Sequence, residues 1–186
     1  EVRLIDLPGT YSLRTTSPDE AVARDVLLGK YGVCPDGIIA VADATNLRMT
    51  LRMMLELKTL GLPMVISLNL SDVARSRGLK IDAKKLGELL GATVLETVAI
   101  SKSGVMAVET AALALPRGHA AKLDPVEAER KLEALDSNAL YEQVEDILAQ
   151  VVQTELKLPP WHRTLDNIVM HPFWGMLILL TILLLV

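Results

Sequence analysis

The chain has 186 residues, 51% hydrophobic but only 3% aromatic, so any core it builds is aliphatic. With 19 Lys and Arg against 23 Asp and Glu, its net charge is −4, and it lacks the basic footprint of a nucleic-acid partner. The single Cys34 excludes an internal disulfide and a cysteine cluster for zinc.

Val2 to Ile5 read as a buried strand ending at Asp6, which Pro8-Gly9 then break. In open α/β sheets, ligands bind beyond the carboxyl ends of the strands. The turn Asp6-Leu7-Pro8-Gly9 therefore suits a Mg²⁺ held through water by Asp6. The Gly9 N–H can approach a terminal phosphate because no Cβ intervenes. An ordinary β-turn after a strand uses the same residues, and DxxG alone does not separate the two.

Next comes a helical pattern, "SPDEAVARDVLLGKY", with Ser17 as cap, Pro18 in the first turn and Glu20 three residues after the cap. The run "GIIAVAD" follows as a strand. In "NLRMTLRMMLELKTLG", Leu47, Leu51, Met54 and Leu55 share one helix face that ends at Gly61. "PMVISLN" is the third strand and "ATVLETVAI" the fourth, with "DAKKLGELLG" and "GVMAVETAALAL" as further helices. The four apolar runs read as strands buried on both faces, and their alternation with helices predicts a parallel α/β sheet with right-handed crossovers.

The third strand ends in Asn69-Leu70-Ser71-Asp72. A carboxylate at Asp72 can accept two hydrogen bonds from the N1–H and N2–H₂ edge of guanine, an edge adenine lacks, while Asn69 ties the loop to its neighbours. Asn and Asp are also common turn residues, so NxxD alone is weak. The fourth strand ends in Val98-Ala99-Ile100, where small residues let backbone N–H groups reach a purine O6.

After "PRGHA" the period changes. Asp124 caps "LDPVEAERKLEALD", and "NALYEQVEDILAQVVQTELKL" repeats apolar residues at helical spacing until Pro159-Pro160 stop it. These residues read as a small helical module. Ile168 to Val186 carries no Asp, Glu, Lys or Arg, and Trp161 and Trp174 bracket its approach. The run predicts the start of a membrane segment with interfacial aromatic anchors. His119, His162 and His171 lack metal-ligand spacing, the methionines of the second helix read as core filler, and the acids after Asp124 read as a solvated face.

DxxG, NxxD and a small-residue loop in that order resemble the later half of a Ras-like GTPase. The wording "DLPGTYSL", "SPDEAVARDVLL", "VADATNLRMTL", "NLSDVARSRGLKID" and "GVMAVE" resembles the cytosolic G domain of the bacterial ferrous iron transport protein B family, and "TLDNIVMHPFWGMLILL" is similar to its first transmembrane helix. The resemblance implies a truncated Ras-like P-loop GTPase domain over 1–116, a cytosolic helical bundle over 117–160, and a juxtamembrane segment with the start of a transmembrane helix over 161–186.

It further implies a nucleotide site of Asp6, Leu7, Pro8, Gly9, Asn69, Leu70, Ser71, Asp72, Val98, Ala99 and Ile100, with Asp6 as the metal residue and Thr10 to Ser17 as the second switch. Leu70 stands where many GTPases carry Lys, Ala99 where Ser is common, and Ile100 where Ala or Thr is usual. GTP or GDP and Mg²⁺ are the implied ligands and Fe²⁺ the transported ion. The implied partners are membrane lipid at the C-terminal helix, a transmembrane pore domain and small cytosolic iron-transport proteins, at the cytoplasmic face of the bacterial inner membrane.

No GxxxxGK[ST] phosphate loop occurs, since Gly29-Lys30 is followed by Tyr31. The expectation is accordingly a fragment of a GTPase-regulated iron(II) transporter, enzymatic in the intact protein and inactive as this piece. Two alternatives stand beside it: a membrane-tethered GTPase-like interaction module without turnover, and an α/β enzyme for another phosphorylated ligand.

Overall fold

In a computed structural model of the chain, residues 2–14, 18–32, 34–116, 124–154 and the single positions 171, 173, 175, 176 and 184 are described. The elements run α1 (Pro18–Leu27), β1 (Ile38–Asp43), α2 (Leu47–Leu60), β2 (Met64–Asn69), α3 (Ser71–Ser76), β3 (Leu79–Ile81) and α4 (Ala83–Leu90). They continue with β4 (Thr93–Glu96), a 3-10 turn (Ala99–Ser101), α5 (Val105–Leu113), α6 (Pro125–Glu133), α7 (Ser137–Val151) and β5 (Val152–Thr154).

The main sheet has the order β1-β2-β4, and both pairings are parallel. The α/β class with a mostly parallel sheet is thus as expected. Burial on both faces holds for the central β2 alone, because β1 leaves Ile39 and Val41 exposed and β4 leaves Thr93 and Glu96 exposed. Residues 2–10 form no strand, and Val2 and Leu4 are 63% and 81% exposed, correcting the buried strand expected there. An extended segment becomes a strand only when a neighbour takes its backbone N–H and C=O groups, and the three-stranded sheet pairs none of residues 2–5.

Helix signals translate well where caps and periodicity agree. On α2, Leu47, Leu51, Met54 and Leu55 are buried as the spacing requires, and Gly61 closes the helix in the left-handed region at φ 69°. Asp124 accepts the Val126 N–H at the start of α6, with Pro125 as the first helical residue. The Ser17 cap lies outside the described residues.

The last helix ends earlier than its apolar periodicity suggests. At Val152 the chain turns extended and β5 pairs antiparallel with β3, Val152 opposite Ile81 and Thr154 opposite Leu79. The Asp82 N–H donates to the Val151 carbonyl at 2.9 Å, which extends this junction. β-branched residues suit a pleated edge better than a helix end.

Helices α6 and α7 pack on α2, and α7 also reaches α4. Ala128, Leu132, Leu140, Val144, Ile147 and Val151 join Leu51, Met54, Ile66 and Leu86 in one continuous core. No helix among the described residues is long and apolar enough to cross a membrane. Nearly all of the expected membrane segment at 161–186, Trp161 and Trp174 included, lies outside the described residues, as do 117–123.

Candidate functional site

Parallel pairing puts the carboxyl ends of β1, β2 and β4 side by side, with Asp43 opposite Asn69. Asp43 Oδ1 accepts both the Thr45 N–H and the Thr45 hydroxyl at 2.7 Å, which closes the turn into α2.

Asn69 joins the ends of β2 and β4. Its Oδ1 accepts the Ala99 N–H at 3.1 Å and the Thr97 hydroxyl at 3.5 Å. Thr97 Oγ1 lies 2.8 Å from Ser67 Oγ in a buried contact, and the Thr97 N–H donates to the Leu68 carbonyl at 2.9 Å. Ser71 Oγ stands 2.8 Å from the Thr97 carbonyl and 3.1 Å from that of Leu68, one hydroxyl proton serving both. The NxxD and small-residue loops are therefore one braced unit.

Within that unit, Leu70 takes the left-handed region at φ 59°, uncommon for a non-glycine residue. That turn starts α3 at Ser71 and leaves the Asp72 carboxylate exposed in its first turn. Val98 exchanges a bridge with Ser103, Ala99 is exposed, and Ile100 is 96% exposed on the 3-10 turn. An exposed acceptor-only carboxylate beside a fixed backbone loop can recognise a planar ligand edge that carries paired donors.

Asp6-Leu7-Pro8-Gly9 is arranged differently. Asp6, Pro8 and Gly9 are exposed, Leu7 packs against the core, and nothing among the described residues lies within 4 Å of a Cβ placed on Gly9. No hydrogen bond among the described residues joins residues 6–9 to the other two loops. Two of the three expected groups are brought together and the first stands apart. Asp6 is an exposed carboxylate, the kind of oxygen ligand that hydrated Mg²⁺ takes.

Two side chains escaped the sequence reading. Glu56, on α2, is an acid with no exposed surface, and it holds residues 12 and 13. Its signal was its place between Leu55 and Leu57, one turn before Leu60, inside the apolar arc of the helix. Arg14 leaves the expected second switch to donate through Nη1 to Ser137 Oγ at 2.6 Å and through Nη2 to the Glu133 carbonyl at 3.4 Å. A second link joins α1 to α6, where Lys30 Nζ meets Asp25 at 3.1 Å and Glu129 at 2.9 Å. The hydrogen bond to Glu129 raises the Lys30 ammonium above its ordinary value. Burial works against ionised Asp25, but its bonds from Lys30 and Arg24 prevail and lower that carboxyl.

The family model described as ferrous iron transport protein B matches residues 1–112. An Fe(2+) transport protein A/Fe(2+) transporter FeoB fusion protein of Porphyromonas gingivalis is 30% identical over 159 residues, 86% of this chain. The chain spans only 18% of that relative's length. The cytosolic domain of L. pneumophila FeoB has a TM-score of 0.67 at 28% identity, covering 80% of this chain and 77% of that one. An S. thermophilus NFeoB mutant bound to GDP has a TM-score of 0.66 at 25% identity, covering 80% of both chains.

Proposed function

This chain belongs to the ferrous iron transport protein B family, and on that premise we propose that it is the guanine-nucleotide-responsive part of a membrane iron(II) transporter. The observation that carries the reading is the Asn69 side chain holding the Ala99 N–H, which makes one rigid platform of the two loops a guanine base needs. GDP on the S. thermophilus relative supports the same ligand here.

In this mechanism Asp72 accepts the N1–H and N2–H₂ of guanine, and the backbone around Val98-Ala99-Ile100 faces O6. Leu70 offers the base an apolar flank in place of a lysine stem. Asp6 would hold Mg²⁺ through its water shell and the Gly9 N–H would meet the γ-phosphate; the ion would supply charge neutralisation for the transferring phosphoryl group. Loss of that phosphate releases residues 10–17, an order change typical of switch segments.

The proposed organisation is a G domain over 1–116, a helical bundle over 117–160 that relays its state, and a segment over 161–186 entering the bacterial inner membrane from its cytoplasmic face. Fe²⁺ is the cargo of the pore to which that segment leads. The relative that joins transport protein A to the transporter supports a small cytosolic iron-transport protein as partner.

The test is a titration of the full-length protein with GDP and ADP. Guanine preference is expected, and Asp72→Ala should erase about a hundredfold of it, since hydrogen bonds to a charged acceptor contribute about 1.5–3 kcal/mol. Equal binding of the two nucleotides, or a preference untouched by Asp72→Ala, overturns the reading.

A further inference from the structure

Glu56 is the only ionisable side chain among the buried residues described, with no exposed surface. Burying an acid is costly unless its oxygens are met by donors, so its partners show what the side chain is for. On its own helix, Arg52 Nε stands one turn back, 3.3 Å from Oε1. Among the described residues, every other donor comes from residues 12 and 13. The Leu13 backbone N–H donates to Oε2 at 2.6 Å, and Ser12 Oγ lies 3.0 Å from both carboxylate oxygens.

The segment is organised around this anchor. Ser12 Oγ also accepts the Arg14 N–H at 3.0 Å, and Thr10 Oγ1 donates to the Ser12 carbonyl at 2.6 Å. Leu13 is 1% exposed in the core. Gly9 stands four residues before Leu13, a span of at most about 14 Å when fully extended. The Leu13 amide therefore limits where Gly9 can stand.

From this geometry we infer that Glu56 is a positioning residue for the second switch: it holds the Leu13 N–H and so sets the place of Gly9 for the γ-phosphate. This rests on the guanine-nucleotide reading. Glu56 touches no nucleotide; it acts through the backbone of residues 12 and 13. GDP lacks the γ-phosphate that Gly9 meets, so Glu56 acts on turnover and leaves GDP affinity alone.

The experiment uses the full-length protein and reads amide hydrogen exchange at residues 12–14, GDP affinity and GTP hydrolysis. Glu56→Ala is expected to speed exchange at residues 12–14 and lower kcat, each about tenfold, with GDP affinity within about threefold. Glu56→Gln keeps a carbonyl oxygen for the Leu13 N–H and should restore most of both losses. Should the alanine variant fail to fold, Ser12→Ala removes one neutral donor and is expected to lower kcat in the same direction. Unchanged exchange at residues 12–14 in folded Glu56 variants overturns the inference, as does a loss of GDP affinity matching the loss of kcat. Failure of the wild-type protein to bind guanine nucleotide overturns the functional reading instead, a separate result because it involves no Glu56 variant.

Discussion

Asn69 Oδ1 accepts the backbone N–H of Ala99 at 3.1 Å, thirty residues further along the chain. This contact makes the ends of β2 and β4 one object. Asn69→Ala leaves the Ala99 N–H and Thr97 hydroxyl without that acceptor, and chemical denaturation should show a loss of about 1–2 kcal/mol. Asn69→Asp keeps an acceptor oxygen and should recover part of it. If both variants match the wild type, the contact does not brace the loops.

Two neighbouring positions after that loop should respond in opposite directions. Gly104 sits at φ 77°, and a Cβ there would stand 2.2 Å from the Glu96 carbonyl oxygen, a backbone atom that cannot swing aside. Gly104→Ala should therefore cost more than about 2 kcal/mol, the left-handed penalty and the clash adding together. Lys102, exposed and also left-handed at φ 57°, carries the penalty without the clash. Lys102→Gly should gain up to about 1 kcal/mol, since relief of φ outweighs the added freedom of the unfolded chain. Thermal midpoints moving the same way for both variants would contradict this account.

The link between α1 and α6 predicts a pH response with two limbs. Asp25 is lowered in the fold, so its contribution is present above the unfolded carboxylate value and fades as pH falls through the lower folded value. Lys30 is raised, so its contribution is complete below the unfolded ammonium value and is lost as pH rises through the higher folded one. Lys30→Met should flatten the alkaline limb and weaken the acid limb. With Lys30 and Asp25 side chains 35% and 24% exposed, solvent screening keeps the effect under about 1 kcal/mol. Denaturation midpoints measured across pH in the two proteins provide the check.

These residues also show what a linear reading can and cannot reach. The runs "GIIAVAD" and "PMVISLN" became β1 and β2 because an unbroken aliphatic stretch has few other ways to leave water. "VRLID" has the same character and formed no strand, because strand formation depends on a neighbour that composition does not reveal. Val152 to Thr154 continue the helical period of α7 and yet pair with β3, a choice made by a partner more than seventy residues away in the chain. Asn69 was legible as a loop tie only together with the DxxG and small-residue loops, because an amide at a strand end also serves ordinary turns. Glu56 was not, because a single acid in a helix reads as a solvated residue unless its position in the apolar arc is weighed.

Arg14 offers the last prediction, about how the nucleotide state reaches the helical bundle. Its guanidinium bonds Ser137, the first residue of α7, and the carbonyl of Glu133, the last of α6. Both contacts are exposed, so Arg14→Ala should change stability by less than about 1 kcal/mol. On the proposed mechanism, Arg14 belongs to the segment released on γ-phosphate loss, and its grip on the α6–α7 junction passes that release onward. Exchange at residues 133–138 should therefore differ between the GDP and GTP-analogue states of the wild-type protein, and Arg14→Ala should remove the difference while nucleotide affinity stays the same. A state difference that survives in Arg14→Ala would assign the relay to α2, which carries Glu56 and packs against both α6 and α7.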